Sequence, residues 1–165
     1  MMEKLLKGVD TCSKAGAYLS ALCMLTIVGL IVVEIVCRTF FNVSTFIADE
    51  YSGYLMVAAV MAGLGFTLGK DGHIRITILL VKLGPKATRW LELAATLFAI
   101  LLTLFALYHA VLMVQDTFSY DMRADSISET PLYIPQILVP VGLAGLALQL
   151  IAQFVRRLKP CSQNP

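Results

Sequence analysis

Glu34 and Arg38 stand four residues apart, and Asp49 and Glu50 follow as an adjacent acidic pair. On a helix the first two make an i,i+4 ion pair with the acid on the N-terminal side, the favourable order. A carboxylate so placed can also take up a proton or a cation, which would be the chemistry of a small autonomous exporter working through Glu34. His109 is the other group able to do chemistry, as an axial haem ligand in a redox protein that uses quinone or haem. Haem in membranes usually takes two such ligands, and the one other histidine, His73, stands in a charged stretch, so a hydrogen-bonded packing role is the simpler reading. Cys12, Cys23, Cys37 and Cys161 form no CxxC and read as unpaired thiols, with neither a metal site nor a disulfide framework. No nucleophile, acid and base can be assembled from the rest, and no glycine loop follows a strand to hold phosphate. Catalysis is not expected, and no cofactor is expected on this chain.

The elements that must carry these residues are legible from the distribution of charge. Hydrophobic residues make up 58% of the 165 and charged ones 15%, well under the roughly 25% of an ordinary soluble domain. Four runs, 15–33, 51–69, 93–115 and 130–155, contain no Asp, Glu, Lys or Arg. A helix needs about 20 mostly apolar residues to cross a hydrocarbon layer of roughly 30 Å. Runs that are apolar on every side also exclude the alternating pattern of a membrane β-barrel. The expectation is one all-α integral membrane domain over 1–165, with four transmembrane helices at about 15–37, 51–69, 93–115 and 133–155. The first run is too long for the apolar part of a cleaved signal peptide and is kept as a span. A soluble globule, a disordered chain and a nucleic-acid-binding module are poor readings.

Eleven of the thirteen Lys and Arg residues fall on one side of such a membrane: before the first span, between the second and third, and after the fourth. Positive residues are retained in the cytoplasm, so both termini and the middle loop are expected inside. In that loop Arg75 and Lys82 share one face of a helix over about 73–83 whose other residues are largely apolar. That pattern suits an interfacial helix with its bases toward anionic membrane lipids. Gly84-Pro85 then starts the third helix, with Trp90 at the interface. The loop before the fourth span is net acidic. Thr130-Pro131 caps that span, and Pro135 and Pro140 predict a bend or a late start.

Small residues mark where helices can approach closely. Ala58, Ala62, Gly65 and Gly69 make one stripe on the second span. Ala95, Ala99, Ala106 and Ala110 make one on the third, and Gly142, Gly145, Gln149 and Ala152 one on the fourth, ending near Arg156. Polar groups at depth are scarce, and no repeated halves with broken helices suggest a carrier. The residues by themselves point to a supporting membrane subunit.

Arg38-Thr-Phe-Phe-Asn42, Ala48-Asp-Glu-Tyr-Ser-Gly-Tyr54 and Gly63-Leu-Gly-Phe-Thr-Leu-Gly-Lys-Asp-Gly-His-Ile-Arg-Ile76 resemble the small, DctQ-type membrane subunit of TRAP (tripartite ATP-independent periplasmic) transporters. Pro131-Leu-Tyr-Ile-Pro135 and Pro140-Val-Gly142 resemble that family's entry to the fourth helix, and the likeness runs over about residues 10–158. Phe46 departs from it, where a tryptophan often precedes the acidic pair. The resemblance implies a bacterial inner-membrane complex in which a large membrane subunit carries organic acids with sodium by an elevator motion. A periplasmic solute-binding protein delivers the solute. The small subunit enlarges the fixed scaffold and helps receive the binding protein, and sodium is held by the large subunit.

On that resemblance Arg38, Asp49 and Glu50, with Tyr51 and Gly53 beside them, are expected to form an outer polar cluster toward the partners. His73, Ile74 and Arg75 are expected to anchor the lateral helix. Gly65, Gly69, Pro140, Gly142 and Gln149 are the remaining interface candidates. Glu34 and Arg38 are expected to pair structurally.

Overall fold

The computed structural model describes residues 2–45, 47–69, 84–126 and 128–158. They form five helices: α1 Met2–Phe41, α2 Ala48–Gly69, α3 Pro85–Ser119, α4 Tyr133–Gln136 and α5 Leu138–Leu158. Gly8–Phe41, Ala48–Gly69, Ala87–Ser119 and Tyr133–Arg156 are each long and apolar enough to cross a membrane. The architecture is thus all-helical with four such stretches. The expected lateral helix at 73–83, with His73, Ile74, Arg75 and Lys82, lies outside the described residues.

Two helices overrun the spans read from charge. α1 has 40 residues and α3 has 35, or roughly 60 and 52 Å at 1.5 Å per residue, against a hydrocarbon layer of about 30 Å. Helices of that length tilt or carry their ends into the polar zones. α3 begins where a proline costs nothing: Gly84 is its extended N-cap and Pro85 its first residue, whose missing N–H would have had no partner. The fourth span is broken at Ile137, between α4 and α5. Pro140 has no N–H to offer the carbonyl of Gln136, which is where the helix is interrupted.

The helices stand in a row. α1 packs along α2, α2 along α5, and α5 along α3, so α1 and α3 occupy the two ends. α1 also reaches α5 at the end that carries Asp10 and Ser13. Close approach at glycine makes the first two seams. A Cβ on Gly16 of α1 would sit 2.4 Å from the carbonyl oxygen of Ala62, and one on Gly142 of α5 would sit 2.5 Å from the Cβ of Met61. The seam of α3 differs from the alanine stripe expected for it. Ala95 is exposed, and the residues turned inward are Thr96, Thr103, Ala110 and Thr117, each 8% exposed or less. Their spacing of seven keeps one face against a neighbouring helix. Each threonine hydroxyl donates to the carbonyl four residues earlier, at 2.7–2.8 Å, and so needs nothing from α5. A small apolar centre of Leu68, Ile100 and Leu150 joins α2, α3 and α5.

A row leaves most surfaces open. The most apolar stretch of each span buries only 6–22% of its residues within the chain, and that of α3 the least. Adding side chains at the seams should therefore cost what little packing exists. Gly16→Val and Gly142→Val are each expected to lower stability by about 1–3 kcal/mol through overpacking, read as earlier unfolding in detergent. Gly29→Val, with nothing within 4 Å of its Cβ position, is expected to change stability by less than about 0.5 kcal/mol.

Candidate functional site

At the end of the row where α1 meets α2, one carboxylate organises the connection. α1 stops at Asn42, which takes the left-handed conformation (φ 53°) that asparagine tolerates better than most residues. The chain then folds back on the helix it has just left. The Glu34 side chain, 12% exposed, accepts from Arg38 Nη2 at 3.0 Å and from the Ser44 hydroxyl at 2.7 Å through Oε1. Through Oε2 it accepts from the Thr45 N–H at 3.0 Å and from the Thr45 hydroxyl. Arg38 Nη2 also donates to Ser44 Oγ, 3.2 Å away. Four donors on one carboxylate satisfy nearly all of its lone pairs. They leave it no free face for a transported cation.

A second carboxylate does the same for the loop between α3 and α4. α3 ends in a Schellman arrangement: Asp121 is left-handed (φ 45°), its N–H bonds the carbonyl of Phe118, and the Met122 N–H bonds that of Thr117. The loop closes on itself through Ala124 N–H to Thr130 O at 3.0 Å and Leu132 N–H to Met122 O at 3.1 Å. Its hydroxyls line up, Ser128 Oγ lying 3.0 Å from Ser126 Oγ and 2.9 Å from Thr130 Oγ1. Ser128 donates to Glu50 Oε2 at 2.5 Å, while Tyr54 donates to Glu50 Oε1 at 2.6 Å. Glu50 thus ties the first turn of α2 to a loop 78 residues further along the chain.

A third polar group braces the opposite end. Gln149, 2% exposed, accepts from Ser13 Oγ at 3.3 Å and donates to Asp10 Oδ1 at 3.5 Å. Arg156 Nη2 donates to Asp10 Oδ2 at 2.7 Å. Gly69 makes room for the amide: a Cβ there would lie 2.6 Å from Gln149 Nε2. Gly65 faces Ser13 Oγ in the same way, at 3.2 Å. One amide and one ion pair lock α5 to α1 at this end, and the glycines of α2 leave room for them. Beside them a groove of about 620 Å³ opens between α1 and α5 over α2, lined by Gly16, Ala62, Gly142 and apolar neighbours.

The residues singled out from sequence therefore separate into groups. Arg38 pairs with Glu34, whereas Glu50 turns to Tyr54 and Ser128, so the described contacts do not gather Arg38, Asp49 and Glu50 into one cluster. Asp49 is exposed. Tyr51 is 38% exposed and lies edge-on to Tyr54, 5.8 Å between centroids, and Gly53 has nothing within 4 Å of its Cβ position. Gly65, Gly69, Gly142 and Gln149 make their close approaches within the chain, and Pro140 is half-buried. His109, expected as a hydrogen-bonded packing residue, is not buried by the described residues. It is exposed on α3, with edge-to-face contacts to Phe105 and Tyr108 at 4.5 and 5.4 Å. Among the described residues no three His, Cys, Asp or Glu side chains come together as metal ligands would.

Sequence reasoning missed the hydroxyl partners Ser44, Thr45 and Ser128, which lie in loops with no periodicity to place them. It also missed the clamp of Asp10 with Arg156. The heptad of Thr96, Thr103, Ala110 and Thr117 did leave a signal, its constant spacing, which a search for glycine and alanine alone passes over.

Four long apolar helices with little internal core, and carboxylate anchors held at the helix ends, mark an integral membrane subunit. The comparisons name the kind. Residues 27–160 match the DctQ component of tripartite ATP-independent periplasmic transporters. The chain belongs to that family. It is 24% identical over 139 residues to a TRAP transporter small permease protein of Haemophilus influenzae, covering 84% of this chain and 82% of that one. It is 25% identical over 155 residues to the small permease protein of an ectoine TRAP transporter of Halomonas elongata, covering 93% and 80%.

The two carboxylate anchors make separable predictions. Glu50→Gln keeps the shape but weakens acceptance from Tyr54 and Ser128, and should raise the rate of proteolytic nicking between 121 and 130 several-fold while the α1–α2 turn stays protected. Glu34→Gln should do the reverse, speeding hydrogen exchange at the Thr45 amide and leaving the later loop unchanged.

Proposed function

We propose that this chain is the bracing subunit of a sodium-coupled, binding-protein-dependent transporter of organic acids. In this reading it fixes the large elevator subunit and helps receive the solute-binding protein. The observation that carries the reading is the combination of scant internal burial with fully occupied polar anchors. Four spans that bury so little against each other are built to be covered, and carboxylates that are already saturated are not solute or ion sites. Glu34, which an autonomous exporter would need free, is held by Arg38, Ser44 and Thr45.

The arginine and lysine distribution supports a bacterial inner-membrane location with both termini and the 70–92 segment on the cytoplasmic side. The two anchored loops then face the periplasm, where the exposed Asp49 stands beside Glu50 as a docking feature. Sodium and solute are taken to bind the large subunit, and membrane lipids to hold the basic lateral segment through Arg75 and Lys82.

The test is reconstitution. This chain, its large subunit and the binding protein in sealed vesicles should give saturable, sodium-dependent uptake, and omission of this chain should abolish it. Saturable flux through vesicles holding this chain alone would refute the reading. Within the full system Asp49→Lys should lower uptake several-fold with normal recovery of both membrane subunits, and unchanged uptake would remove its docking role. Neutralising Arg75 and Lys82 together should lower transport more than membrane insertion, whereas equal loss of both would mark a folding defect.

A further inference from the structure

The seam of α3 leaves the opposite side of that helix uncovered, and the uncovered side is not uniformly apolar. Thr96, Thr103, Ala110 and Thr117 form the buried side of α3, and α5 is the long helix it packs along. At 100° per residue, Phe98, Leu101, Phe105, Tyr108 and His109 share the far side, and the four that are apolar or aromatic are 59–65% exposed. His109 lies seven residues before Asp116, the first charged residue toward that end, and so about 10 Å inside it. An imidazole in either protonation state has at least one N–H that needs an acceptor. Hydrocarbon supplies none.

Nor does the side chain lean toward headgroups. Side chains on a helix tilt toward its N-terminus, which for α3 is the Trp90 end, and His109 does so, meeting the ring of Phe105 one turn back at 4.5 Å between centroids. Among the described residues its own chain gives it ring edges and no acceptor. Among the described residues α3 stands at one end of the row, with no further helix beyond it.

From this we infer that the Phe98–Phe105–His109 side of α3 is the surface on which a transmembrane helix of the large subunit lies, presenting a hydrogen-bond acceptor to the imidazole. The aromatic rings supply contact area at low entropic cost, and the imidazole fixes the register of the two helices. The inference rests on the bracing function proposed above and adds the face that performs it.

The experiment uses the co-expressed membrane complex. The photo-crosslinking residue p-benzoylphenylalanine replaces Phe105, and, as a reference at the other end of the row, Val28 of α1, which is 58% exposed. His109→Leu and His109→Gln are purified alongside. The expected result is capture of the large subunit from position 105. His109→Leu should lower co-purified large subunit about three- to tenfold, and His109→Gln, which keeps a polar group, should retain most of it. Capture of lipid alone, or of a second copy of this chain, from position 105 overturns the inference, as does full recovery with His109→Leu. Capture of the large subunit from position 28 and not from 105 overturns the surface while leaving the bracing function intact. Capture from neither, with the complex intact, overturns the surface, while the bracing function stands or falls on reconstitution.

Discussion

Hydrocarbon returns no hydrogen bonds, and that one constraint orders the whole molecule. A polar group in a span must be satisfied by the chain itself or by something the chain binds. Thr96, Thr103 and Thr117 meet the requirement locally, each hydroxyl donating to its own helix, so that a polar residue can sit in a packing seam as a small apolar one would. Gln149 meets it between α5 and α1 through Ser13 and Asp10. Glu34 and Glu50 meet it by drawing loop hydroxyls and N–H groups down onto the helix ends. Among the described residues, the exposed imidazole of His109 and the buried Oε1 of Gln136 are groups for which contacts within the chain offer no such answer.

The same constraint explains how so thin a structure holds together. With no water to expel between spans, association depends on close approach and on polar bonds at a few points. The glycines supply the approach. Gly16 lets α1 ride on the backbone of α2 at Ala62, and Gly142 lets α5 do the same at Met61. The polar bonds are placed at the ends, where a few residues fix the relative height of several helices. Asp10 with Arg156 and Gln149 sets one end, and Glu50 with the 120–132 loop sets the other. A row pinned at both edges resists shear without needing a core, which is the mechanical property a brace requires if a moving partner is to slide against it and not deform it.

Much of this was legible in the sequence. Charge-free runs gave the four spans, Gly84-Pro85 gave the start of α3, and Pro140 gave the interruption of the fourth span, because each follows from local chemistry that needs no knowledge of neighbours. The Glu34 and Arg38 spacing likewise places those two side chains together. What escaped is long-range or aperiodic. Nothing in the spacing of Ser126, Ser128 and Thr130 announces Glu50 as their partner, since the contact spans 78 positions and depends on where a loop lands. The acidic pair was read as one unit because its members are adjacent, yet adjacent positions on a helix point about 100° apart, so Glu50 turns to the loop while Asp49 stays outside. The α3 seam was read only in part: Ala110 lies in it and Ala99 beside it, but a search for glycine and alanine passes over the threonines, whose hydroxyls are spent within the helix.

The row also bears on how the chain divides its labour between self and partner. Of the two end helices, α1 is tied in by the clamp at Asp10 and Ser13 and by the Glu34 turn, so its position is set within the chain. α3 has its threonine seam, the Phe118 contact to Tyr133 at 5.3 Å and the loop that Glu50 holds, but its far side carries the exposed imidazole and the exposed aromatic rings. The helix with the fewest internal commitments is therefore the one with the most unmet demand. In a membrane that demand has a direction. A second chain that satisfies His109 gains one hydrogen bond and covers several rings, whereas a lipid in the same place covers the rings and leaves the N–H unpaired. The difference favours protein over lipid at that face, and it does so without any large apolar driving force between the two.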